Sequence, residues 1–413
     1  MLKQLILENW KSFRYAELPL DPLTVLIGTN ASGKSNVVEA LEFLQRIAQG
    51  ENIEAALAGD KKLSSIRGGV EWAARKPVTQ FSIQVLVYGG GIVAQKDYLY
   101  SITVETENHV QIRDESLILL QPNFIINEEP QEEKLFQTNN PDSHIPNVIV
   151  NFYDNKTIRQ KEFRRNQSIL SQLIGFSIKM TEAIQVVSQT LKNITIFNPI
   201  PSTMRLYSRL SDTLDSDASN ISGVLAALPE EKKLEIESTL STYIKYLPEG
   251  DIKKVWAEKV GRFGTDAMLY CQEEWKSGQI TEIDARSMSD GTLRFLAILT
   301  ALLTRPEGSQ LIIEAIDNGL HPSRANLLVK ILREIGSKRN IDILLTTHNP
   351  ALLDALSPEI VPFVVVAHRD AETGESKLTL LEDIDNFPKL FASYSLGDMT
   401  TRGAIERSLS HGE

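Results

Sequence analysis

Apolar runs at both ends of the chain alternate between two lengths. Near the N-terminus, LTVLIG (residues 23–28) has the length of a strand, and it precedes KSNVVEALEFLQRIAQ (34–49), whose Val37, Leu41 and Leu44 recur at helical spacing. Toward the C-terminus, the runs GTLRFLAILTALLT, LIIEAI, SRANLLVKILREIG and IDILLTT repeat this alternation. Helices that alternate with short apolar strands predict a parallel sheet covered by helices.

The middle of the chain shows other patterns. Between residues 80 and 120, apolar and polar residues alternate in stretches such as FSIQVLVY and YLYSITVET, which predicts an antiparallel sheet. Residues 121–160 are polar and rich in Pro, Asn and Glu, and we expect them to be irregular. The segment 165–250 is predicted to be mostly helical with a break at 198–202 (NPIPS), and a β-like segment at 255–275 follows it.

Composition and charge narrow the class of protein. With 413 residues, of which 42 % are hydrophobic and 23 % charged, the chain is typical of a globular protein with a sizeable core. A net charge of −11 argues against attraction of nucleic acid over the whole surface. The single cysteine, Cys271, excludes an internal disulfide and is predicted to be a core residue. No run reaches the roughly 18–20 apolar residues of a membrane span, so a cytoplasmic protein without membrane contact is expected.

The strongest motif is a phosphate-binding loop. Residues 28–35, GTNASGKS, match G-x-x-x-x-G-K-[ST] between a predicted strand and a predicted helix. Lys34 is expected to reach the β- and γ-phosphates, and the Ser35 hydroxyl to bind Mg²⁺. The predicted nucleotide-binding residues of this loop are Asn30, Ala31, Ser32, Gly33, Lys34, Ser35 and Asn36. A P-loop by itself does not distinguish an ATPase from a GTPase or a kinase.

Three further motifs follow in order and decide the class. SMSDGTLR (287–294) places Ser289 as a cap before an apolar helix, EAIDNGLHPSR (314–324) ends one strand, and TTHNP (346–350) ends another. Together with the P-loop and the opening LILENWKSFRY, they make nearly the whole chain resemble the ABC-type ATPases of the RecF and SMC kind. The resemblance is closest to the AAA-family ATPases of bacterial anti-phage defence systems, similar to PtuA of Septu.

This resemblance implies an α/β fold, that of an ABC-type P-loop ATPase head with a mostly parallel sheet, an antiparallel β layer and a helical insertion. The predicted parts are an N-terminal lobe at 1–160, a helical insertion at 161–254 and a C-terminal lobe at 255–413. The two lobes would form one composite ATPase domain.

Carried over residue by residue, the resemblance implies a head-to-tail homodimer that sandwiches two ATP molecules with Mg²⁺. In that arrangement Ser289, Asp290 and Gly291 form a signature that faces the partner's ATP. The resemblance also implies Mg²⁺ binding by Ser35, Glu314 and Gln172, with Gln167 as the close rival for the glutamine. It places the D-loop at Asp317 and Asn318 and the switch histidine at His348. Lys11 and Ser12 would contact the adenine and ribose side of the nucleotide, and Arg67 would be the arginine-loop position.

The chain departs from the family pattern at one position. Two adjacent acids normally end the Walker B strand, whereas here Glu314 is followed by Ala315. Alanine cannot accept a proton, and general-base assistance is typically worth about 10²–10⁴-fold in rate. Either the chain is a natural switch that hydrolyses ATP slowly, or alanine stands here by a deliberate change that traps the ATP-bound dimer. The second explanation is favoured because every other motif residue is intact.

The predicted function is that of an ATPase subunit in a bacterial anti-phage defence complex. ATP binding would close the dimer, hydrolysis would reopen it, and the ATPase would regulate an effector on a separate chain. The expected effector is a nuclease, and it is assigned to a separate chain because no nuclease motif is visible in this one. The alternative is a RecF-like DNA-repair ATPase that clamps DNA, with small basic patches at 164–168 and 252–259 as its support. A transporter ATPase has less support, because it would need a membrane-domain partner and the antiparallel and helical insertions are not typical of that class. A small-molecule kinase has less still, since nothing resembles a phosphoacceptor site.

Overall fold

The computed structural model describes residues 1–90, 96–121, 131–139, 146–154, 157–173, 178–247, 251–276, 278–318, 321–356, 358–385 and 387–410. The strands are β1 (Leu2–Glu8), β2 (Tyr15–Pro19), β3 (Leu23–Ile27), β4 (Gln80–Gly90), β5 (Lys96–Glu105), β6 (Gln111–Gln121), β7 (Gln131–Asn139), β8 (Asn147–Asp154), β9 (Thr157–Arg164), β10 (Ile194–Phe197), β11 (Ser208–Arg209), β12 (Ile252–Val260), β13 (Asp266–Lys276), β14 (Gln279–Asp284), β15 (Gln310–Ile313), β16 (Asp342–Thr346), β17 (Val364–Arg369) and β18 (Ser376–Leu380). The helices are α1 (Lys34–Ala48), α2 (Ile53–Ala58), α3 (Ile169–Gln172), α4 (Ile178–Lys192), α5 (Pro201–Met204), α6 (Ile221–Ala227), α7 (Glu230–Ile244), α8 (Asp290–Thr304), α9 (Ala325–Lys338), α10 (Pro350–Ala355), α11 (Phe387–Ser393), α12 (Leu396–Thr401) and α13 (Ala404–Ser410).

The chain divides into two units that interleave along the sequence. The first unit contains Met1–Thr195 and Val365–Leu381, and the second contains Ile196–Val364 and Glu382–Glu413. The main sheet of the first unit has eight antiparallel strands in the order β2-β1-β4-β5-β6-β7-β8-β9. The same unit contains the neighbouring strands β3, β17 and β18, in that order.

An aromatic cluster anchors the P-loop helix in the core of the first unit. The Trp10 ring lies 4.8 Å from that of Phe81 in an edge-on arrangement, and the Phe43 ring, on α1, lies 5.6 Å from Phe81. All three side chains are fully buried. The indole N–H of Trp10 donates to the carbonyl oxygen of Asn36 at 2.7 Å, so the buried ring also fixes the start of α1.

The second unit contains a parallel pair of strands and an antiparallel sheet. Strands β15 and β16 pair in parallel, with Ile313 opposite Leu345, so their carboxyl ends lie at the same edge. In the antiparallel sheet, β12 pairs with one side of β13, and β11 and β14 also pair with β13. Helix α8 is buried along nearly its whole length. Cys271 of β13 is fully buried, as predicted, and burial raises the pKa of its thiol to about 12.

The structure confirms the mixed α/β architecture and corrects one part of it. Residues 121–160 were expected to be irregular, but the described part of this segment forms β7 and β8 and the start of β9. Phe136, Phe152 and Phe163 are buried, and the ring of Phe152 packs against each of the other two. In β8 the exposed Ile149 lies between the buried Val148 and Val150, so the sequence shows a continuous apolar run there and the period of two is hidden. The predicted lobe boundaries at 160/161 and 254/255 stay a prediction.

No helix within the described ranges is long and apolar enough to cross a membrane.

Candidate nucleotide-binding site

The P-loop connects β3 to α1 in the first unit. Gly28 and Gly33 have φ angles of 142° and 114°, which L side chains rarely adopt. A Cβ at Gly28 would overlap the carbonyl oxygen of Ala367, and a Cβ at Gly33 would lie 2.8 Å from the Phe13 ring. Glycine is therefore required at both ends of this loop by its close packing.

The lysine of the loop turns inward. The Lys34 ammonium donates to the carbonyl oxygens of Gly28 at 2.7 Å and Thr29 at 2.8 Å, so its charge lies inside the loop. The Ser32 hydroxyl is buried without a hydrogen-bond partner among the described residues. A loop that combines a central cation, an unpaired buried hydroxyl and a helix N-terminus is suited to bind phosphate groups.

The predicted Lys11 and Ser12 lie beside the start of α1. The Ser12 hydroxyl accepts a hydrogen bond from the Asn36 amide at 2.8 Å. The Lys11 ammonium pairs with the carboxylate of Glu39, which also binds Arg67 at 2.5 Å. Burial lowers the pKa of Lys11, and the Glu39 carboxylate partly opposes this shift. The structure thus brings Lys11, Ser12 and Arg67 together around one face of α1.

A cavity of about 550 Å³ opens next to these residues. Its walls include Ser12 and Asn36 on one side, the exposed Trp72 indole, and the ion pair between Arg75 and Glu375 at 2.5 Å. The cavity is large enough for a nucleoside, and it offers an aromatic surface together with charged hydrogen-bonding groups.

Glu314 and Ala315 follow β15 in the second unit, at the edge where β16 also ends. The backbone N–H of Ala315 donates to the Thr346 hydroxyl at 2.8 Å, and the N–H of Ile316 donates to the Thr346 carbonyl at 3.1 Å. Ala315 has a φ of 47°, in the left-handed region. The turn after Glu314 is therefore fixed to the end of β16, and the methyl group of Ala315 offers no proton acceptor.

Asp317 connects this turn to His348. Its carboxylate accepts a hydrogen bond from the Thr347 hydroxyl at 2.7 Å, and its second oxygen lies 3.9 Å from Nε2 of His348. The Asp317 side chain is 8 % exposed and that of His348 is 56 % exposed. The neighbouring Asn318 is exposed. The arrangement holds the histidine next to a carboxylate while leaving the imidazole accessible.

Ser289 caps α8, as the sequence predicted. Its hydroxyl oxygen accepts from the Thr292 N–H at 3.1 Å, and its hydroxyl donates to the Thr292 side chain at 2.8 Å. Asp290 and Gly291 occupy the first turn of this helix. The first-turn amides of a helix are open to an anion.

The side chain of Gln172 is occupied by the backbone around it. Its amide nitrogen donates to the carbonyl oxygens of Arg164 and Gln167 at 3.1 and 2.9 Å, and its oxygen accepts from the Arg164 N–H at 3.3 Å. To reach a metal ion, this glutamine would have to give up these hydrogen bonds. The rival Gln167 donates to the Gly50 carbonyl at 3.1 Å.

The residues present fit a nucleotide with Mg²⁺. Within the described ranges there is no cluster of three or more acidic, histidine or cysteine side chains that could hold a metal by itself. Mg²⁺ commonly keeps several waters and binds through one or two protein oxygens and the phosphates of its nucleotide. The Ser35 hydroxyl and the Glu314 carboxylate are of the required type. An ion bound with the nucleotide would neutralise phosphate charge.

Sequence reasoning missed three residues that shape the P-loop. The Arg369 guanidinium donates to the Ala31 carbonyl at 2.9 Å, and the Ser376 hydroxyl donates to Ser12 at 2.7 Å. Glu39 lies on the buried face of α1. The sequence shows it only as a single acidic residue among apolar ones, which does not indicate its partners. Arg369 and Ser376 had no local signal, because each contacts a partner more than 300 residues away.

Comparison with known proteins places the chain in a family. The family described as "AAA domain, putative AbiEii toxin, Type IV TA system" matches residues 23–354, a range that includes both the P-loop and the TTHNP motif. The chain belongs to this family of AAA ATPases. The predicted P-loop ATPase fold with parallel and antiparallel sheets is thereby confirmed.

Individual relatives are more distant. A protein of Helicobacter pylori named "ATP/GTP phosphatase" is 21 % identical over 379 residues, which cover 87 % of this chain and 88 % of the relative. Among solved structures, an SMC head bound to the C-terminal winged-helix domain of ScpA has a TM-score of 0.49 at 14 % identity, covering 92 % of this chain and 96 % of that one. The SMC head domain from Thermotoga maritima has a TM-score of 0.46 at 12 % identity, covering 92 % and 98 %.

Proposed function

We propose that this AAA ATPase binds ATP with Mg²⁺, closes into a homodimer around two nucleotides, and thereby regulates a separate effector in anti-phage defence, like the PtuA ATPases of Septu. The observation that carries the ATP-binding part is the P-loop. Its Lys34 ammonium lies inside the loop, and the Ser32 hydroxyl of the same loop is buried and has no partner within the described residues. Lys34 would bind the β- and γ-phosphates, and Ser35 and Glu314 would be the Mg²⁺ ligands.

Dimer formation would use the signature helix. Ser289 caps α8 with its side chain, and Asp290 and Gly291 form the start of the first turn. A γ-phosphate that belongs to the partner's ATP could bind these amides and the serine hydroxyl. ATP would then be part of the interface, so the dimer would form with ATP and dissociate after hydrolysis.

Hydrolysis in this chain should be slow. Ala315 occupies the position at which the family has its general base, and the Asp317 carboxylate accepts a hydrogen bond from Thr347. His348 would sense the γ-phosphate and orient water, but an orienting residue does not replace a carboxylate base. The chain would therefore stay closed on ATP for longer than a relative with two acids.

Analytical ultracentrifugation with ATP or ADP, at a fixed protein concentration, tests the dimer. The wild-type chain should sediment as a dimer with ATP and as a monomer with ADP. Lys34→Ala should lose nucleotide binding, and Ser289→Arg should bind nucleotide normally but stay monomeric, because the larger cation fills the phosphate position. Normal ATP-dependent dimerisation of Ser289→Arg would contradict the sandwich.

A matched control separates the loss of a helix cap from the loss of a phosphate contact. Ser395 caps α12 in the same unit, where its side chain accepts from the Asp398 N–H at 3.2 Å. Ser395→Arg removes an equivalent cap and adds the same charge. It should dimerise with ATP like the wild type.

The effector part rests on the resemblance and on the family description, which names a toxin system. Co-expression with the product of the neighbouring gene, followed by affinity purification, tests it. A stable complex whose nuclease activity changes with ATP is expected. Failure to form any complex would leave only the ATPase part of the proposal.

A DNA-clamping ATPase of the RecF type is the second candidate. The exposed edge strand β9 favours it, because Arg159, Lys161 and Arg164 all lie exposed along it. Duplex DNA binding that tightens with ATP and weakens steeply with salt would support this function. Binding that is unaffected by ATP would count against it.

A further inference from the structure

Arg205 contacts the start of the signature helix from a distant part of the second unit. Its guanidinium donates to the carbonyl oxygen of Met288 at 2.8 Å and to the carboxylate of Asp290 at 2.6 Å. Met288 and Asp290 flank Ser289, the cap of α8. One cation therefore holds the backbone before the cap and the side chain after it.

The position of Arg205 is fixed by the short helix α5. Pro201 starts this helix, and the N–H of the preceding Ile200 donates to the carbonyl of Asp217 at 2.9 Å. Met204 is fully buried. With a buried residue immediately before it and the preceding turn hydrogen-bonded, Arg205 has a defined starting point from which to reach Asp290.

Asp290 poses an electrostatic problem for the proposed signature. Its side chain is 66 % exposed, and it lies next to the serine that would meet the partner's ATP. A carboxylate at that place repels a triphosphate, and the repulsion grows when docking excludes water. Arg205, 26 % exposed, is the cation that bonds directly to it. Arg294, one turn along α8, is a second cation that feels the charge of Asp290.

We propose that Arg205 is a positioning residue for the ATP-dependent dimer. It neutralises Asp290 and holds the Met288 carbonyl, so that Ser289 and the first amides of α8 present a net attractive surface to the phosphates of the partner's ATP. This inference rests on the proposed function. Arg205 lies outside all of the sequence motifs. The negative charge of Asp290 has to be compensated before the ATP of the partner subunit can bind at the signature.

A double-mutant cycle tests the compensation. The variants are Arg205→Ala, Asp290→Ala, the double variant and Arg205→Lys, with Arg209→Ala as control. Arg209 is an exposed arginine in the same segment, so its replacement by alanine also removes one positive charge. Two quantities are measured for each protein in ATP and Mg²⁺: the dimer dissociation constant by ultracentrifugation, and the affinity for a fluorescent ATP analogue at concentrations where the protein is monomeric.

Arg205→Ala should weaken dimerisation by about tenfold or more, because it leaves an uncompensated carboxylate at the interface. The same change should weaken it by less than about threefold in the Asp290→Ala background, since the repelling charge is then gone. Arg205→Lys should retain most of the dimerisation, and Arg209→Ala should behave as wild type. ATP affinity of the monomer should be unchanged in the Arg205 variants.

The possible failures can be told apart. An equal loss on removing Arg205 in both backgrounds would mean that it only supports the local fold, and would overturn the proposal. Normal dimerisation of Arg205→Ala would overturn it as well. If Arg205→Ala does not fold, Arg205→Lys takes its place. A folded Arg205→Lys that loses dimerisation as completely as Ser289→Arg would overturn the proposal that Arg205 acts by neutralising Asp290. A wild-type chain that never dimerises with ATP would refute the proposed function itself, and this inference with it.

Discussion

Replacing Glu115 with Gln should make the stability of the protein less dependent on pH. Glu115 lies on β6 and is fully buried. Its carboxylate accepts hydrogen bonds from the N–H groups of Ile169 and Leu170 at 2.8 and 2.9 Å, and from the hydroxyls of Ser168 and Tyr100 at 2.8 and 2.9 Å. Burial raises its pKa from an ordinary 4.5 to about 7, although these hydrogen bonds act in the opposite direction.

The sign and size of the effect follow from this shift. Because the folded-state pKa lies above the unfolded one, the folded protein holds the proton more tightly. The stability from this group is therefore fully present below pH 4.5 and is lost as pH rises through about 7. A shift of this size corresponds to about 3 kcal/mol in all, of which about 2 kcal/mol falls between roughly pH 5.5 and pH 8.

Glutamine removes the titration at a constant cost. If its oxygen takes the place that accepts from Tyr100, Ser168 and Leu170, its amide nitrogen faces the N–H of Ile169. Two donors then oppose each other, which costs about 1–3 kcal/mol at every pH. Well below pH 4.5 the variant should be about 1–3 kcal/mol less stable than wild type. Above about pH 7, where wild type has lost about 3 kcal/mol, the variant should be as stable as wild type or more stable by up to about 2 kcal/mol.

Urea unfolding followed by circular dichroism, at about pH 5.5 and pH 8, measures the difference in free energy of unfolding between variant and wild type. The free energy of unfolding of the variant minus that of wild type should rise by about 2 kcal/mol between about pH 5.5 and about pH 8. The exposed Glu132, on β7, serves as control, and Glu132→Gln should stay within about 0.5 kcal/mol of wild type at both pH values. Other titrating groups are common to both proteins and cancel. A difference that stays constant or falls with rising pH would refute the raised pKa of Glu115.

Three further outcomes are expected. Ala315→Glu should raise steady-state phosphate release by about 10²–10⁴-fold with ATP affinity nearly unchanged, and an unchanged rate would mean that the base lies elsewhere. Arg369→Ala should weaken the binding of a fluorescent ATP analogue by about fivefold, because the Ala31 carbonyl loses the cation that fixes the P-loop. Unaltered affinity would mean that Arg369 does not hold the loop in its binding conformation. Phe81→Ala should lower the free energy of unfolding by about 3–5 kcal/mol, since the Phe81 ring packs edge-on against Trp10. A loss below about 1 kcal/mol would show that the core closes around the cavity.

Local signals allowed much of the site to be predicted from sequence. The strand before Gly28, the loop and the helix from Lys34 are contiguous, so one motif with its flanking patterns defined all three. Ser289 could be recognised as a helix cap for the same reason, because the apolar run begins directly after it. The Glu314 turn and the 346–348 segment could be paired only through the resemblance. Parallel pairing of β15 and β16 explains why Ala315 and Asp317 contact that segment.

Contacts between distant segments could not be predicted. Arg205 lies 85 residues from Asp290, and nothing in the NPIPS pattern distinguishes this arginine from a solvated one. Glu115 reads as an ordinary polar residue in a strand, because its donors at 168–170 come from another segment. The strands β7 and β8 escaped prediction because their alternation is masked in the sequence. In β8 the exposed Ile149 lies between the buried Val148 and Val150, and β7 buries the adjacent Leu135 and Phe136.

The strand order β3-β17-β18 also constrains how the protein is made. The P-loop follows β3 near the start of the chain, but the arginine that secures it, Arg369, is added 338 residues after Ala31. At a synthesis rate of about 5–20 residues per second, the ribosome needs about 20–70 s to cover that distance. The nascent P-loop must wait this long for its neighbouring strand. A chain released early, even one that contains every motif from the P-loop to the histidine, would lack the hairpin that completes the nucleotide-binding unit.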